Sequence, residues 1–431
     1  MKINPYNSQD CKPQSWLYII MNQMKKILFF FILIFIGCKT DETTKNELTS
    51  IKIDFNKSIL LPDKEWVKAI KYIPLQTNGS FLIGNVQLVK FFDQMLFLIE
   101  TIGYDRQISI FKADGSFVNR IYNPGEGPGK FLRIDDIWYN SDDQTIELLD
   151  FVQSKIVVYN LKGDYLKDTR LPNNYQNMAK FDDNNYVFYA GNSPQDSGMY
   201  NINYVKDRKV QAAYLPFPAF FLDFNVSMGT RFSPPTPGGF YLVHEFLNDT
   251  IYLLERNPAT FRAAYKLDLG DKWINNDWLE KFKHGNGEDR MNLTNKSGKT
   301  YNIMHIAFWD DKLFCVFPNF TERRGYFNVF DTQSNRQVTF YSRAKKSLFN
   351  NFDLGPIPTD FKTFDQNKMI FFLEAFDLKE HCTRMAQNLP DVDDATLERF
   401  FQLKAISDKL DPNANPVMMI IDQDLSALGE N

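Results

Sequence analysis

From about residue 80 onward the chain repeats one unit, and that repeat limits the fold more than any other feature. Residues 108–121 read Ile-Ser-Ile-Phe-Lys-Ala-Asp-Gly-Ser-Phe-Val-Asn-Arg-Ile, and residues 156–169 read Ile-Val-Val-Tyr-Asn-Leu-Lys-Gly-Asp-Tyr-Leu-Lys-Asp-Thr. Each is an apolar strand, a tight turn in which glycine supplies positive φ, and a second strand of alternating polarity. Gly115 and Gly163 stand 48 positions apart, the period of four-stranded propeller blades. Weaker copies turn at Asp207-Arg208, at Arg256-Asn257 and near Gln333-Ser334. Two further strands precede most of these hairpins: 82–91 and 95–100 for the first, 136–139 and 146–149 for the second, 303–309 and 313–317 for the fifth.

Five hairpins give five blades. A sixth has three strands at 361–364, 369–373 and 416–421 and lacks an outer one. Residues 67–75 are the candidate: joining them to the last sheet removes two exposed strand edges and closes the ring without a covalent bond. The fold expected is therefore all-β, a six-bladed β-propeller closed by an N-terminal strand, with small helical insertions. The insertions break the period. Residues 271–300 carry Trp273 and Trp278 on a helix-like stretch followed by a Gly/Asn-rich loop. Residues 376–411 place Leu378, Cys382, Met385, Leu397 and Leu403 at helical spacing, with Pro390 between two halves. Insertions of this kind lie on loops at one end of a propeller, where they either build a binding surface or cover the rim.

The 40 Phe and 20 Tyr suit sheets, and a net charge of −4 offers no basic face for nucleic acid. Lys25-Lys26, an apolar run over 27–36 and Gly37-Cys38 form an export signal too short to span a bilayer. Its end resembles the lipobox of bacterial lipoproteins, which implies acylation of Cys38 and a mature chain starting there. Residues 1–23 fit no export signal, and Met24 is the expected start; 24–37 is the signal peptide, 38–50 a polar tether, and 51–431 the propeller. Lys39 followed by acids resembles a surface-export signal, so an outer-membrane position, displayed at the cell surface, is expected. In an exported protein of this size Cys315 and Cys382 read as buried thiols rather than a bridge.

Residues 72–77, Tyr-Ile-Pro-Leu-Gln-Thr, then Leu82-Ile83-Gly84, the Gly115 hairpin and 123–131, Asn-Pro-Gly-Glu-Gly-Pro-Gly-Lys-Phe, carry a family pattern. This run resembles the six-bladed β-propeller lipoproteins of Bacteroidetes, a family similar to NHL-repeat propellers. The usual forms there are YIPLET, LIG and a GPGEY loop; here Gln76 replaces Glu, and Lys130-Phe131 replaces Glu-Tyr. The match runs from about 66 to 190 and thins to hydrophobic pattern beyond. It implies the propeller and an envelope location, and no agreed biochemical activity.

Several residues could carry chemistry. Gly125, Gly127, Pro128 and Gly129 fix an unusual backbone path, a structural corner or an amide cradle for an anion; no helix or Lys-Ser/Thr follows, so a phosphate loop is excluded. Asp135 and Asp136, at the start of an inner strand, suit turn hydrogen bonds, a calcium ion or acid–base work. The acidic cluster 391–394 reads as a helix cap. His244 and His305 lie in inner-strand regions of neighbouring blades, and NHL-like lyases assemble a metal from histidines on different blades; the structural alternative is a satisfied buried imidazole. The rings of 216–221, Trp273 and Trp278 serve either as platforms for sugars or a partner protein, or as core. No nucleophile elbow occurs. The reading that follows is a lipid-anchored, monomeric binding module for a polymer or partner protein, glycan or protein, held to the membrane by its lipid, without cofactor or metal. The alternative is a metal-assisted lyase or hydrolase with its site at the channel mouth.

Overall fold

Six small sheets, each built from consecutive antiparallel strands, follow one another along the chain. In the computed structural model they stand around one axis as a six-bladed β-propeller. The structure describes residues 48–77, 82–222, 229–243, 247–256, 260–274, 276–300, 302–319, 321–343 and 348–429. The signal peptide, Cys38 and most of the tether lie outside them, as does His244.

Blade one comprises Asn85–Phe92, Met95–Ile102, Asp105–Lys112 and Phe117–Ile121. Blade two comprises Ile134–Asn140, Thr145–Asp150, Lys155–Asn160 and Tyr165–Arg170, and blade three Asn177–Asp182, Asn185–Tyr189, Tyr200–Lys206 and Lys209–Pro216. In blade four, Gly239–Val243, Thr250–Glu255 and Phe261–Asp268 are full strands, and the innermost strand shrinks to residues 231–233. Two ladder bonds hold it, Ser233 N to Tyr241 O at 2.8 Å and Val243 N to Arg231 O at 3.1 Å. Blade five is His305–Trp309, Lys312–Asn319, Arg324–Asp331 and Gln337–Arg343.

The sixth blade closes as expected. Asp360–Asp365, Lys368–Leu373 and Val417–Gln423 pair in order, and the outer place is taken by β3, Val67–Pro74, with Tyr72 opposite Met419 and Pro74 opposite Val417. The N-terminal segment does more than the sequence suggested. Before reaching blade six it adds β1, Thr49–Lys52, in parallel to the outer strand of blade four, and β2, Ile59–Leu60, in parallel to that of blade five. The propeller thus begins at Thr49, two residues inside the stretch read as tether.

Strand periodicity explains how blades stack. Neighbouring side chains on a strand face opposite sides. In blade one Leu96 and Leu98 join the core shared with blade six, while Phe97 and Ile99 join the core shared with blade two. In blade two Leu148 packs toward blade one and Leu149 toward blade three. Middle strands are therefore buried on both sides and read as unbroken apolar runs. The outer hairpin turn of blade one also locks the seam: Gln76 N, just past β3, donates to Gly115 O at 2.8 Å.

With strands alternating in direction, connections between blades and between second and third strands share one face, called upper here. The two hairpins of each blade lie on the lower face. Both insertions are upper-face features. The first, between blades four and five, is two helices, α1 (Asn276–His284) and α2 (Gly287–Lys296), where the sequence suggested a loop after the tryptophans. A capping box explains the second helix: Asn286 Oδ1 accepts from Asp289 N at 2.9 Å, and Asp289 Oδ2 accepts from Asn286 N at 3.3 Å. The other insertion holds α3 (Ala375–Gln387) and α4 (Asp394–Asp408). Asp393 caps α4 through Thr396 N at 2.8 Å, the role read for the acidic cluster. Cys315 and Cys382 are free and buried.

Candidate functional site

The six innermost strands meet at the axis, the first place to look for a site. Lys90, Trp138, Met178, Phe232, Ile306 and Thr363, one from each blade, surround a cavity of about 80 Å³. Rings fill the rest. Trp138 lies 5.6 Å from Phe92 and 6.2 Å from Phe240, centroid to centroid. At this level the rings narrow the axis to that small cavity.

Asp135 and Asp136 occupy opposite sides of their strand, as successive strand residues must. Asp136 is fully buried beside the axis; its Oδ1 pairs with Lys90 Nζ at 3.1 Å and its Oδ2 accepts Met178 N at 2.9 Å. Asp135 faces blade one, 3.2 Å from Arg106 Nη1 and 2.8 Å from Arg133 Nη2. Burial raises its pKa, and the two arginines offset only part of that. The two carboxylates therefore bind cations of the protein, each its own, and cannot share an ion.

His305 is buried, with Nδ1 3.2 Å from Thr230 Oγ1 and its ring edge-on to Phe361 at 5.0 Å. Burial, reinforced by Arg231, Lys362 and Lys90, pushes its pKa down to about 3, so the imidazole is neutral. Among the described residues no three His, Cys, Asp or Glu side chains are placed to hold a metal.

Trp278 is 6% exposed and stacks on Phe282 at 5.1 Å, in a small core with Phe217 and Phe221. The aromatic stretch 216–221 and α1 thus bury each other, and Trp278 offers no open platform. Trp273 is half-buried against the core between blades four and five. The glycine loop is also self-contained. Asn123 Nδ2 donates to Gly129 O at 2.7 Å, Lys155 Nζ to Gly127 O at 3.0 Å, and Gln153 Nε2 to Gly125 O at 3.2 Å; the Tyr159 hydroxyl also donates to Gly129 O. The amides of Gly125 and Lys130 bond within the loop. Donors ring its carbonyls, the inverse of an anion cradle.

Most of the exposed large hydrophobic side chains among the described residues are on the upper face. On blades one and two Leu82, Tyr104, Tyr122, Leu132 and Val152 are exposed in connections, and Ile102 at the end of its strand. Phe349, Phe376, Leu389 and Phe401 are exposed near blade six and its insertion. At blades five and six runs a trough of two adjoining cavities, about 410 and 360 Å³, which share Thr359 and Asp360. Arg323, Arg324 and His305 line one part; Glu374, Asp377 and Arg384 line the other. Burial and the neighbouring Asp360 and Asp377 raise the pKa of Glu374. Of the candidate site residues that are described, His305 alone lines this trough. The exposed residues were missed, although large apolar side chains at turn positions, as in Ile102-Gly103-Tyr104, were a visible signal.

Known proteins add the lineage. An exported protein of Bacteroides fragilis superposes with a TM-score of 0.67 at 16% identity, over 87% of this chain and 100% of that one. A DUF4221-family member from Bacteroides vulgatus gives 0.50 at 12% identity, over 83% and 97%. Both likenesses concern the fold. No curated protein matches the chain. The model of the domain of unknown function DUF4934 matches residues 48–422, the whole of the propeller from its first strand to its last, and the chain belongs to that family.

Proposed function

We propose that this chain is a lipid-anchored binding module of the cell envelope, held through Cys38 at the outer membrane and recognising a macromolecule with its upper face. One observation carries the reading. Of the fifteen large hydrophobic side chains exposed among the described residues, eleven lie in upper-face connections, insertions or strand ends, and one, Trp309, at a lower-face strand end. A solvated rim has no reason for that asymmetry, whereas apolar residues gathered on one face mark interaction sites. The export signal ending in Gly37-Cys38 and the exported Bacteroides fragilis relative support the location. Among the described residues no helix is long and apolar enough to cross a membrane.

Fractionation tests the anchor. Cys38→Ala is expected to move the protein from the membrane to the soluble fraction, and its persistence in membranes would contradict lipid attachment. The soluble form beginning at Lys39, screened against a glycan array and envelope proteins, tests recognition. Binding that survives Glu substitutions at Tyr104 and Phe376 would place recognition elsewhere.

A further inference from the structure

The larger cavity of the trough, about 410 Å³, has the make-up of a small-ligand site, apolar walls on which a few polar groups converge. Met304, Phe327 and Phe361 supply walls. The Phe361 ring is held edge-on to His305 at 5.0 Å and to Phe327 at 5.3 Å, so the wall is fixed in place. His305 lines the same space although it is only 8% exposed. Its Nδ1 is taken by Thr230 Oγ1, and its Nε2 has no hydrogen bond to any described residue. In the tautomer with the Thr230 hydroxyl donating to Nδ1, the ring proton sits on Nε2 and is available to an acceptor.

The charges around this cavity favour an anion. Burial first, and then Arg231, Lys362 and Lys90, hold the imidazole neutral. The field that disfavours a positive charge on His305 favours a negative one beside it. Arg323 and Arg324 line the cavity as well. Arg324 lies over the Tyr341 ring at 5.1 Å and shares Nη1 between Glu322 at 3.3 Å and the Tyr326 hydroxyl at 3.4 Å. Arg323 is exposed and makes no hydrogen bond or ion pair with a described residue. The neighbouring carboxylates are answered within the protein: Glu322 also holds Lys272 at 2.9 Å, and Asp360 holds Lys362 at 2.8 Å. One uncommitted guanidinium matches one negative charge. A neutral ligand would leave it unanswered, and a bare inorganic anion would leave the aromatic wall wet.

We infer that this cavity binds an organic acid, with an aromatic or branched body against Met304, Phe327 and Phe361 and its carboxylate toward Arg323 and His305 Nε2. This rests on the reading of the upper face as the recognising surface and gives that face one pocket and one ligand chemistry.

The chain has four histidines, so the full-length protein carrying isotope-labelled histidine reports on His305 by nuclear magnetic resonance, with His305→Gln assigning its signals. Phenylacetate is expected to shift the His305 Nε2 resonance. Phenylacetamide, the same body without the charge, is expected to bind about tenfold more weakly or worse. Arg323→Ala is expected to erase that preference while leaving the melting temperature unchanged. A peptide ending in phenylalanine, its terminal carboxylate free or amidated, separates two sources of the same chemistry. Binding of the free-ended peptide as well assigns the pocket to chain ends, and binding of phenylacetate alone assigns it to a free acid. The proposal is overturned if neither acid moves the His305 signal, if the amide binds as well as the acid, or if Arg323→Ala leaves the preference intact. Recognition by the upper face is scored separately through the Glu substitutions at Tyr104 and Phe376, so the pocket can fail while that reading stands.

Discussion

Asp135 and Asp136 are neighbours in the chain and never share a partner, because the pleat sends one toward blade one and the other to the axis. The pair was legible as functional-looking chemistry; which side each faces was not, since that depends on which residue starts the strand. The same holds for His305, whose surroundings come from three other blades. A histidine with a pKa near 3 in the folded state and 6.5 in the unfolded chain is protonated more readily when unfolded. Stability is therefore full above about pH 6.5 and is lost as the pH falls toward 3, by about 2 kcal/mol at pH 5. His305→Gln is expected to flatten the decline in melting temperature between pH 7 and 5; an unchanged slope would refute it. Gly115, by contrast, was legible outright. Its φ is +84°, and a Cβ there would lie 2.4 Å from Pro74 O at the closing strand. Gly115→Ala is expected to cost about 2 kcal/mol or more, read as a lowered thermal midpoint.

Elements were legible in proportion to their length and regularity. The hairpins of blades one and two, the helices of the second insertion and the closing strand all have a period long enough to read. The innermost strand of blade four does not: residues 231–233 are three positions ahead of Pro234-Pro235. β1 and β2 are similarly brief. Helix α2 was hidden by its Asn- and Gly-rich composition, which conceals the reciprocal Asn286–Asp289 bonds that start it. Asn286→Ala is expected to destabilise that helix by about 1 kcal/mol. Hydrogen exchange of the α2 amides should then speed roughly fivefold while the blades are unaffected; uniform acceleration across the blades would mean the insertion is part of the global unfolding unit. Trp278 shows the other limit. Bulky rings outside a period look exposed until the partner that covers them, here 217–221, is seen.

At the scale of the molecule, six sheets behave as a ring only while the sixth is complete. Cutting the chain before Val417 removes the strand to which β3 pairs and exposes both edges of the seam. That truncation is expected to abolish the single cooperative melting transition; a midpoint within a few degrees of the full chain would show that the other five blades stand alone. Which face carries the exposed apolar side chains was beyond the sequence, because exposure depends on how the turns are dealt between the two ends of the barrel of blades. The N-terminal girdle over blades four, five and six has one more implication, for how the protein is made. β1, β2 and β3 are synthesised first, yet their hydrogen-bonding mates lie far along the chain, from Tyr265 for β1 to Gln423 for β3. The nascent leading segment must wait, unpaired, while blades one to three form behind it. A chain stopped before the outer strand of blade four would then present three raw strand edges, a ready substrate for proteases and for self-association.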